Sequence, residues 1–386
     1  MTEISTEKTF DYIIAGGGMA GLSLAFLLDK SKLRDKKILI IDREVKIQND
    51  HTWCFWESEK GNFEEVVFRK WNDVWFHGTQ EFKELLNLQN YEYKMIRAVD
   101  FYKYIHSKLL RNNNFNIIQT DILSVENGIV KTNKGDFEAH EFVFDSSHKK
   151  TYDNPKYQNM VQHFLGFVIE TEDSFFKLDE ATLFDFRFEQ KNECRFAYVL
   201  PISENKALIE FTIFSDNLLA KNEYEIELKK YISDVLKIEK YKIIETESGV
   251  IPMSDEPHHE FPDSKTIRIG TSAGYVKAST GYCFMRTQKR LQEIVRKLES
   301  GEKLTPFQRP WKSFMDSVLL NVLLTKKHSA DDVFTALFMN NPTTRVLKFL
   351  DEETSFAEDY RIMRSVQIIP FSKAAIETAI SKLKLK

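Results

Sequence analysis

The run Gly16-Gly17-Gly18-Met19-Ala20-Gly21 limits the fold of this chain more than any other feature. It follows a short apolar segment, Asp11-Tyr12-Ile13-Ile14-Ala15, and precedes another, Leu22-Ser23-Leu24-Ala25-Phe26-Leu27-Leu28. The first reads as a buried strand and the second as a buried helix, and Lys37-Ile38-Leu39-Ile40-Ile41-Asp42 reads as a second buried strand. Strand, helix and strand in so short a span make a βαβ unit with parallel strands. Gly16, Gly18 and Gly21 occupy the three glycine positions of GxGxxG. The first permits a tight turn, the second lets backbone approach a pyrophosphate, and the third lets helix pack on strand. The helix N-terminus offers free N–H groups and a positive dipole to phosphates. Asp42, ending the second strand, is placed to accept ribose hydroxyls. This pattern predicts a Rossmann-type dinucleotide site and does not by itself separate FAD from NAD.

Between about His163 and Ser215 the pattern changes. Strand-like runs follow closely at His163–Thr171, Ala181–Phe188, Cys194–Ser203 and Lys206–Ser215, with a hairpin turn expected at Ser203–Lys206. They predict a mainly antiparallel sheet inserted between two halves of the first domain. Thr266–Gly270 reads as a return to a buried strand. Ser279 or Thr280 can cap a helix that Gly301 stops, with Met285, Leu291, Ile294, Val295 and Leu298 on its apolar face. Beyond Trp311 the chain reads as helical.

Several function classes are excluded by charge and composition. A net charge of −4 with no basic stripe argues against nucleic acid as a partner. Cys54, Cys194 and Cys283 are far apart and form no CxxC pair, so neither a disulfide framework nor a metal site is expected, as suits a reducing cytosol. His258 and His259 are expected in a solvated loop after Pro257. The N-terminus is polar, without a signal peptide, and no segment reads as membrane-spanning. Phe is used 31 times, which suits either core packing or an apolar substrate tunnel.

A late strand–loop–helix unit, Ile269-Gly270-Thr271-Ser272-Ala273-Gly274 and then Lys277-Ala278-Ser279-Thr280-Gly281, leans toward FAD. It is the kind of unit that receives the ribityl chain and flavin, with Gly270, Thr280 and Gly281 as candidate contacts and the helix dipole favouring a reduced, anionic ring. At these residues the chain resembles the bacterial lycopene beta-cyclases. The resemblance rests on Asp11–Gly21, Asn49-Asp50-His51-Thr52-Trp53-Cys54-Phe55-Trp56, Phe144-Asp145-Ser146, Leu208-Ile209-Glu210-Phe211-Thr212, Gly249-Val250-Ile251-Pro252-Met253 and the stretch from Gly270 to Phe284. Two departures stand out: Ala278 replaces a proline usual in that family, and a basic residue expected near Ser147 is missing.

The resemblance implies an α/β fold: a Rossmann-type FAD-binding domain (1–150 and 245–305), an inserted antiparallel β-sheet substrate domain (151–244) and a helical C-terminal region (306–386). It implies conversion of the open ψ ends of lycopene into β-ionone rings, by way of γ-carotene to β-carotene. This is an isomerisation without net redox change that nevertheless uses reduced FAD, with NADPH or NADH as reductant. Such chemistry needs a positioned acid, a pocket that stabilises a carbocation, and no water.

Glu210 is the candidate acid. Strand alternation places Leu208, Glu210, Thr212 and Phe214 on one face and Ala207, Ile209, Phe211 and Ile213 on the other. If the first face lines a dry cavity, desolvation keeps the carboxyl protonated and able to donate. Trp53, Phe55 and Trp56 are candidate cation-stabilising, substrate-contacting aromatics, as are Phe184, Phe186 and Phe188, which alternate into a stripe on one strand face; either set is also readable as core. A bilayer-held substrate implies peripheral contact with the cytoplasmic membrane surface, for which Phe371–Lys386, with Lys382, Lys384 and Lys386, is a candidate amphipathic helix. The rival readings are a flavin monooxygenase or prenyl reductase of the same fold, and a carotenoid-binding protein without chemistry. The pairs Asp145-Ser146 and Gly270-Thr271, in place of Asp-Gly and Gly-Asp, count against hydroxylation.

Overall fold

The computed structural model describes residues 7–383, so the N-terminal run Met1-Thr2-Glu3-Ile4 and the expected basic residues Lys384 and Lys386 lie outside the described residues. Its first sheet is built around the expected βαβ unit. Thr9–Ala15 pairs in parallel with Ile38–Asp42 on one side and with Gly135–Asp145 on the other. Phe115–Gln119 continues the parallel sheet beyond Ile38–Asp42, and Thr266–Arg268 pairs in parallel with Gly135–Asp145. Tyr12, Ile13, Ile14, Leu39, Ile40 and Ile41 are fully buried, as strands covered on both faces require. The Met19–Asp29 helix packs on this sheet against the later helix Phe284–Ser300.

The glycines behave as their spacing implies. Gly16 adopts φ +105, and a Cβ there would meet Ser146 Oγ at 2.2 Å. A Cβ on Gly21 would lie 1.9 Å from the carbonyl oxygen of Gly16, so helix and strand touch where only hydrogen fits. Gly18, by contrast, has nothing within 4 Å of a notional Cβ; it borders open space.

The second sheet has the order Lys242–Ser254, Asn159–Glu170, Lys206–Ser215, Cys194–Ser203, Glu180–Asp185, Asp73–His77, Lys83–Asn87. All neighbours are antiparallel except Glu180–Asp185 with Asp73–His77. The inserted sheet therefore extends past the 151–244 segment on both sides, borrowing a hairpin from 73–87 and a long edge strand from 242–254. Its alternation sorts two cores. Leu165, Phe167, Ile209, Phe211 and Ile213 face the helix Lys221–Lys230. Leu208, Phe214, Phe196 and Tyr198 face the rest of the molecule. A small third sheet, Thr52–Glu57, Glu92–Arg97 and Arg69–Trp71, lies beside the first domain.

The C-terminal region is helical, as expected, through Pro310–Leu324, Ala330–Met339, Thr343–Leu350, Phe356–Ser365 and Ile368–Leu383. Leu320, Val322 and Leu323 are core residues. Three local expectations are corrected. The helix expected to be capped by Ser279 or Thr280 begins instead at Phe284, with Cys283 as N-cap, because Ser279 Oγ donates to Asp316 Oδ1 at 2.7 Å. Phe184, Phe186 and Phe188 do not form one stripe. The first two pack into the core with Phe334, while Phe188, beyond the strand end, stacks on Phe211 and Tyr231 on the opposite face. His259 is exposed, but His258 packs against Gly274 and Tyr152, and burial lowers its pKa to about 4. The expected C-terminal helix forms over Ile368–Leu383: Phe371 packs against Val318 and Val322, Lys382 Nζ is bound to Ser317 Oγ at 2.7 Å, and Ile369, Ile376, Ile380 and Leu383 stay exposed.

Candidate active site

A groove of about 1200 Å³ runs along the C-terminal ends of the parallel strands, lined by Gly16, Gly18, Asp42, Ser146 and Thr271 among others. This is the crevice where open α/β sheets bind nucleotides. The Met19–Asp29 helix starts there at Gly18 with no side-chain cap, so its first N–H groups point at the groove unpaired by any side chain. Asp42 accepts hydrogen bonds from Gly17 N (2.6 Å) and Glu44 N (2.8 Å), one on each oxygen. Each oxygen keeps a lone pair for a ribose hydroxyl. Asp145 carries the adjoining turn, its Oδ1 accepting from Ser147 N, Ser147 Oγ and His148 N. Open space at Gly18, an uncapped helix end and a carboxylate with spare acceptors together fit a dinucleotide.

The groove leads inward. Gly18, Ser146, Val250, Pro252 and Thr271 line both it and a second cavity of about 420 Å³ between the first domain and the inserted sheet. Gly270, with φ +68, comes so close to the first helix that a Cβ would sit 2.8 Å from that of Ala20. Gly281, with φ +74, presses on Gln162, whose Oε1 would be 2.2 Å from a Cβ. Both positions line the inner cavity, as do Cys283 and Phe284 at the uncapped start of the Phe284–Ser300 helix. Thr280 is buried just behind this wall, its hydroxyl without a partner among the described residues. The loop is anchored by Lys277, whose Nζ reaches Asp316 Oδ1 at 2.5 Å and Glu352 Oε1 at 3.4 Å, all three buried. Ala278, where the proline was expected, packs against the core beside it.

Glu210 lies on the inner cavity. It is half-buried, on the expected face with Leu208 and Phe214. Burial is the main cause holding its pKa well above the usual carboxylate value, reinforced by the neighbouring Glu247 and opposed by a hydrogen bond from Thr212 Oγ1 at 2.7 Å. The raised pKa favours the protonated form of Glu210, the form that can donate.

The aromatic candidates do not all reach the cavity. Trp53 lines the cavity, edge-on to Phe101 and Tyr102. Phe55 does not; it stacks on Phe284 at 4.4 Å within the core of the first domain. Trp56 is buried behind Tyr282, with ring centroids 4.9 Å apart. The rings that do surround Glu210 were not singled out from the sequence: Tyr198, directly opposite it on the next strand, and Tyr93 and Tyr282 across the cavity, with Cys54 among them. Burial raises all these hydroxyls and the thiol, so they stay neutral and present dipoles and π-faces without charge. Tyrosines 93, 198 and 282 come from three separate segments and share no sequence period.

Glu247 was also missed, although one signal was available. It shares a strand face with Gly249, Ile251 and Met253, the motif that supported the family resemblance. Gly249 lacks a side chain because the Phe164 ring lies over it, 2.7 Å from a notional Cβ.

A family model described as lycopene cyclase protein matches residues 11–376. The chain belongs to the lycopene cyclase family. No curated protein matches this family member. Among solved structures, it resembles a geranylgeranyl bacteriochlorophyll reductase-like protein from Thermoplasma acidophilum (15% identity, 97% of this chain and 100% of that one, TM-score 0.62). It also resembles a flavoprotein/dehydrogenase from Cytophaga hutchinsonii (12% identity, 98% and 100% coverage, TM-score 0.64) and a flavin-dependent brominase (12% identity, 98% of each chain, TM-score 0.57). At these identities the likeness is one of fold: this lycopene cyclase family chain shares the Rossmann-type architecture of flavoproteins.

Proposed function

We propose that this protein is a lycopene beta-cyclase, closing the ψ ends of lycopene to γ-carotene and β-carotene in carotenoid biosynthesis. The observation that carries the reading is a carboxyl, Glu210, whose pKa burial raises, on an aromatic-lined cavity continuous with a dinucleotide groove. In this reading FAD is held by Gly16, Gly18, Gly21 and Asp42 at one end and by the Gly270 and Thr280–Gly281 loops at the other. Bound in its reduced form, with NADPH or NADH as the electron source, FAD supplies negative charge beside the cavity.

Glu210 gives its proton to the terminal alkene. The faces of Trp53, Tyr198 and Tyr282 favour the resulting cation by about 0.5–2 kcal/mol each, more as water is excluded. The neutral state of Cys54 and the tyrosines keeps nucleophiles and stray bases away from that cation. A hydroxylase or a passive carotenoid carrier has no use for an un-ionised acid in this place.

Among the described residues no helix is long and apolar enough to cross a membrane. Docking on the bilayer surface fits the exposed stripe Phe356, Tyr360 and Met363, spaced along one helix face, and Ile368 and Ile369 beyond it. Lys382 is engaged internally and takes no part in this surface. Expression of the chain in lycopene-accumulating cells is expected to shift the pigment to β-carotene, as read by pigment chromatography. Unchanged lycopene beside folded, flavin-loaded protein would refute the assignment.

A further inference from the structure

We propose that Glu247 is the base that ends the reaction, and that it and Glu210 hold one proton between them across Gly166. The proposal rests on the cyclase reading and adds a residue to its machinery.

The geometry begins with sheet register. Gly166 stands directly opposite Glu210 on one neighbouring strand and directly opposite Glu247 on the other. The three residues therefore form one row on the cavity face, with Tyr198 continuing it beyond Glu210. Side chains two strands apart ordinarily have a third side chain between them. Here that position is glycine: a Cβ would lie 3.0 Å from Glu247 Cγ and 3.5 Å from Glu210 Cβ. With no side chain at Gly166, the two carboxyls face each other across the gap, and each shifts the pKa of the other. Two carboxylates have only acceptors, so the bond we propose between them requires a proton on one of them. Both members are held by a hydroxyl, Thr212 Oγ1 on Glu210 Oε1 and Thr52 Oγ1 on Glu247 Oε2, each at 2.7 Å.

The two sites are not equivalent. Glu210 is on an interior strand, flanked on its own face by Leu208 and Thr212. Glu247 is on the edge strand and also borders a second pocket of about 200 Å³, which Arg97 and Lys206 line. Near Glu210 the other titratable groups are Cys54, Tyr198 and Tyr282, all kept neutral by burial; near Glu247 they are His51 and Glu245. Burial raises the Glu247 carboxyl as well, but less strongly than Glu210, and with access to polar surroundings Glu247 is the partner suited to carry the negative charge.

The chemistry balances within the pair. The Glu210 O–H bond breaks, and the electron pair of the terminal alkene forms a new C–H bond at its CH carbon. This leaves a cation on the dimethyl carbon. The pair of the neighbouring double bond forms the ring C–C bond and moves the cation to the methyl-bearing ring carbon. Glu247 removes the proton from the carbon that has just formed the ring bond, and that C–H pair becomes the ring double bond to the methyl-bearing carbon. One proton leaves Glu210, one arrives on Glu247, and no electrons are gained or lost. Transfer along the hydrogen bond between the carboxyls restores the starting state without solvent.

The test compares the flavin-loaded full chain with Glu210→Gln, Glu247→Gln and Gly166→Ala. The last keeps every chemical group and wedges a methyl into the row. One readout needs no substrate: infrared titration of the neutral carboxyl band. A band present at pH 7 in the wild type is expected to vanish in Glu210→Gln. It should titrate at lower pH in Glu247→Gln and Gly166→Ala, where the like charge is removed or displaced. The second readout is turnover of lycopene in phosphatidylcholine–phosphatidylglycerol vesicles. Glu247→Gln is expected to lower kcat by about 10²–10⁴-fold, the usual worth of a general base, with KM little changed. Gly166→Ala should lower it at least about tenfold. Wild-type kcat and an unmoved carboxyl band in Glu247→Gln would overturn this proposal while leaving the cyclase reading intact. A wild-type chain that shows the shared-proton signature yet leaves lycopene unchanged would instead overturn the cyclase reading and, with it, the role of Glu247 as base.

Discussion

Gly18 and Gly21 belong to one motif, yet the structure assigns them different failures. A Cβ on Gly21 would lie 1.9 Å from the Gly16 carbonyl oxygen, where a carbon–oxygen contact needs about 3.3 Å. The helix would have to withdraw by more than an ångström from a fully buried strand. Overpacking of this kind costs about 1–3 kcal/mol and more when backbone must move. Gly21→Ala should therefore destabilise the flavin-free protein. Gly18 has extended backbone at φ −79 and open space where a side chain would go, so Gly18→Val strains nothing in the apoprotein. Its cost there is the helix N-cap preference, about 1 kcal/mol or less.

The branched side chain would instead fill the space where a pyrophosphate meets the helix N-terminus. Losing one or two charge-assisted hydrogen bonds there, at about 1.5–3 kcal/mol each, weakens flavin binding about 10- to 10⁴-fold. Denaturant unfolding of both apoproteins, with flavin absorbance after purification, separates the two effects. Full flavin content in Gly18→Val, or unchanged apoprotein stability in Gly21→Ala, would refute the reasoning.

Three further outcomes follow from the site and its supports. The folded-state pKa of Glu210 is raised, so the folded state binds the proton more tightly than the unfolded chain. Stability is thus lost as pH rises from the ordinary carboxylate value of 4.5 up to the raised one. Glu210→Gln should have a Tm close to wild type near pH 4 and an increasingly higher one above it, and equal differences across the range would contradict a buried neutral acid. Lys277→Met leaves Asp316 buried without its cation, and denaturant titration should show a loss of about 3–5 kcal/mol. A double change, Phe356→Ser with Ile369→Ser, should reduce sedimentation with lipid vesicles while leaving Tm within about 1 °C, since surface substitutions usually cost under about 0.5 kcal/mol. Undiminished vesicle binding would place the membrane surface elsewhere.

What could be read from residue order alone was what short-range physics dictates. The glycine spacing required a strand-to-helix turn against phosphate. Apolar runs required buried parallel strands, and period-two alternation placed Glu210 on a face opposite Ile209 and Phe211. The family motifs pointed to the right strands without showing why they matter. The same alternation, applied to Thr52–Glu57, separates Trp53 from Trp56 but does not reveal that Thr52, Trp53 and Cys54 all meet the cavity while Phe55 does not.

The helix start was misplaced because Ser279 is a sound cap locally and is claimed by Asp316, a residue of a distant helix. The tertiary structure alone decided the chemistry around the acid. Glu210 and Glu247 meet only because a third strand inserts between theirs and presents a glycine at that level. Register between strands is set by packing over the whole sheet, and a neighbour two strands away leaves no period in the chain. The raised pKa of Glu210 is likewise a property of enclosure: the same five residues, Leu208 to Thr212, in an open hairpin would hold an ordinary, ionised glutamate.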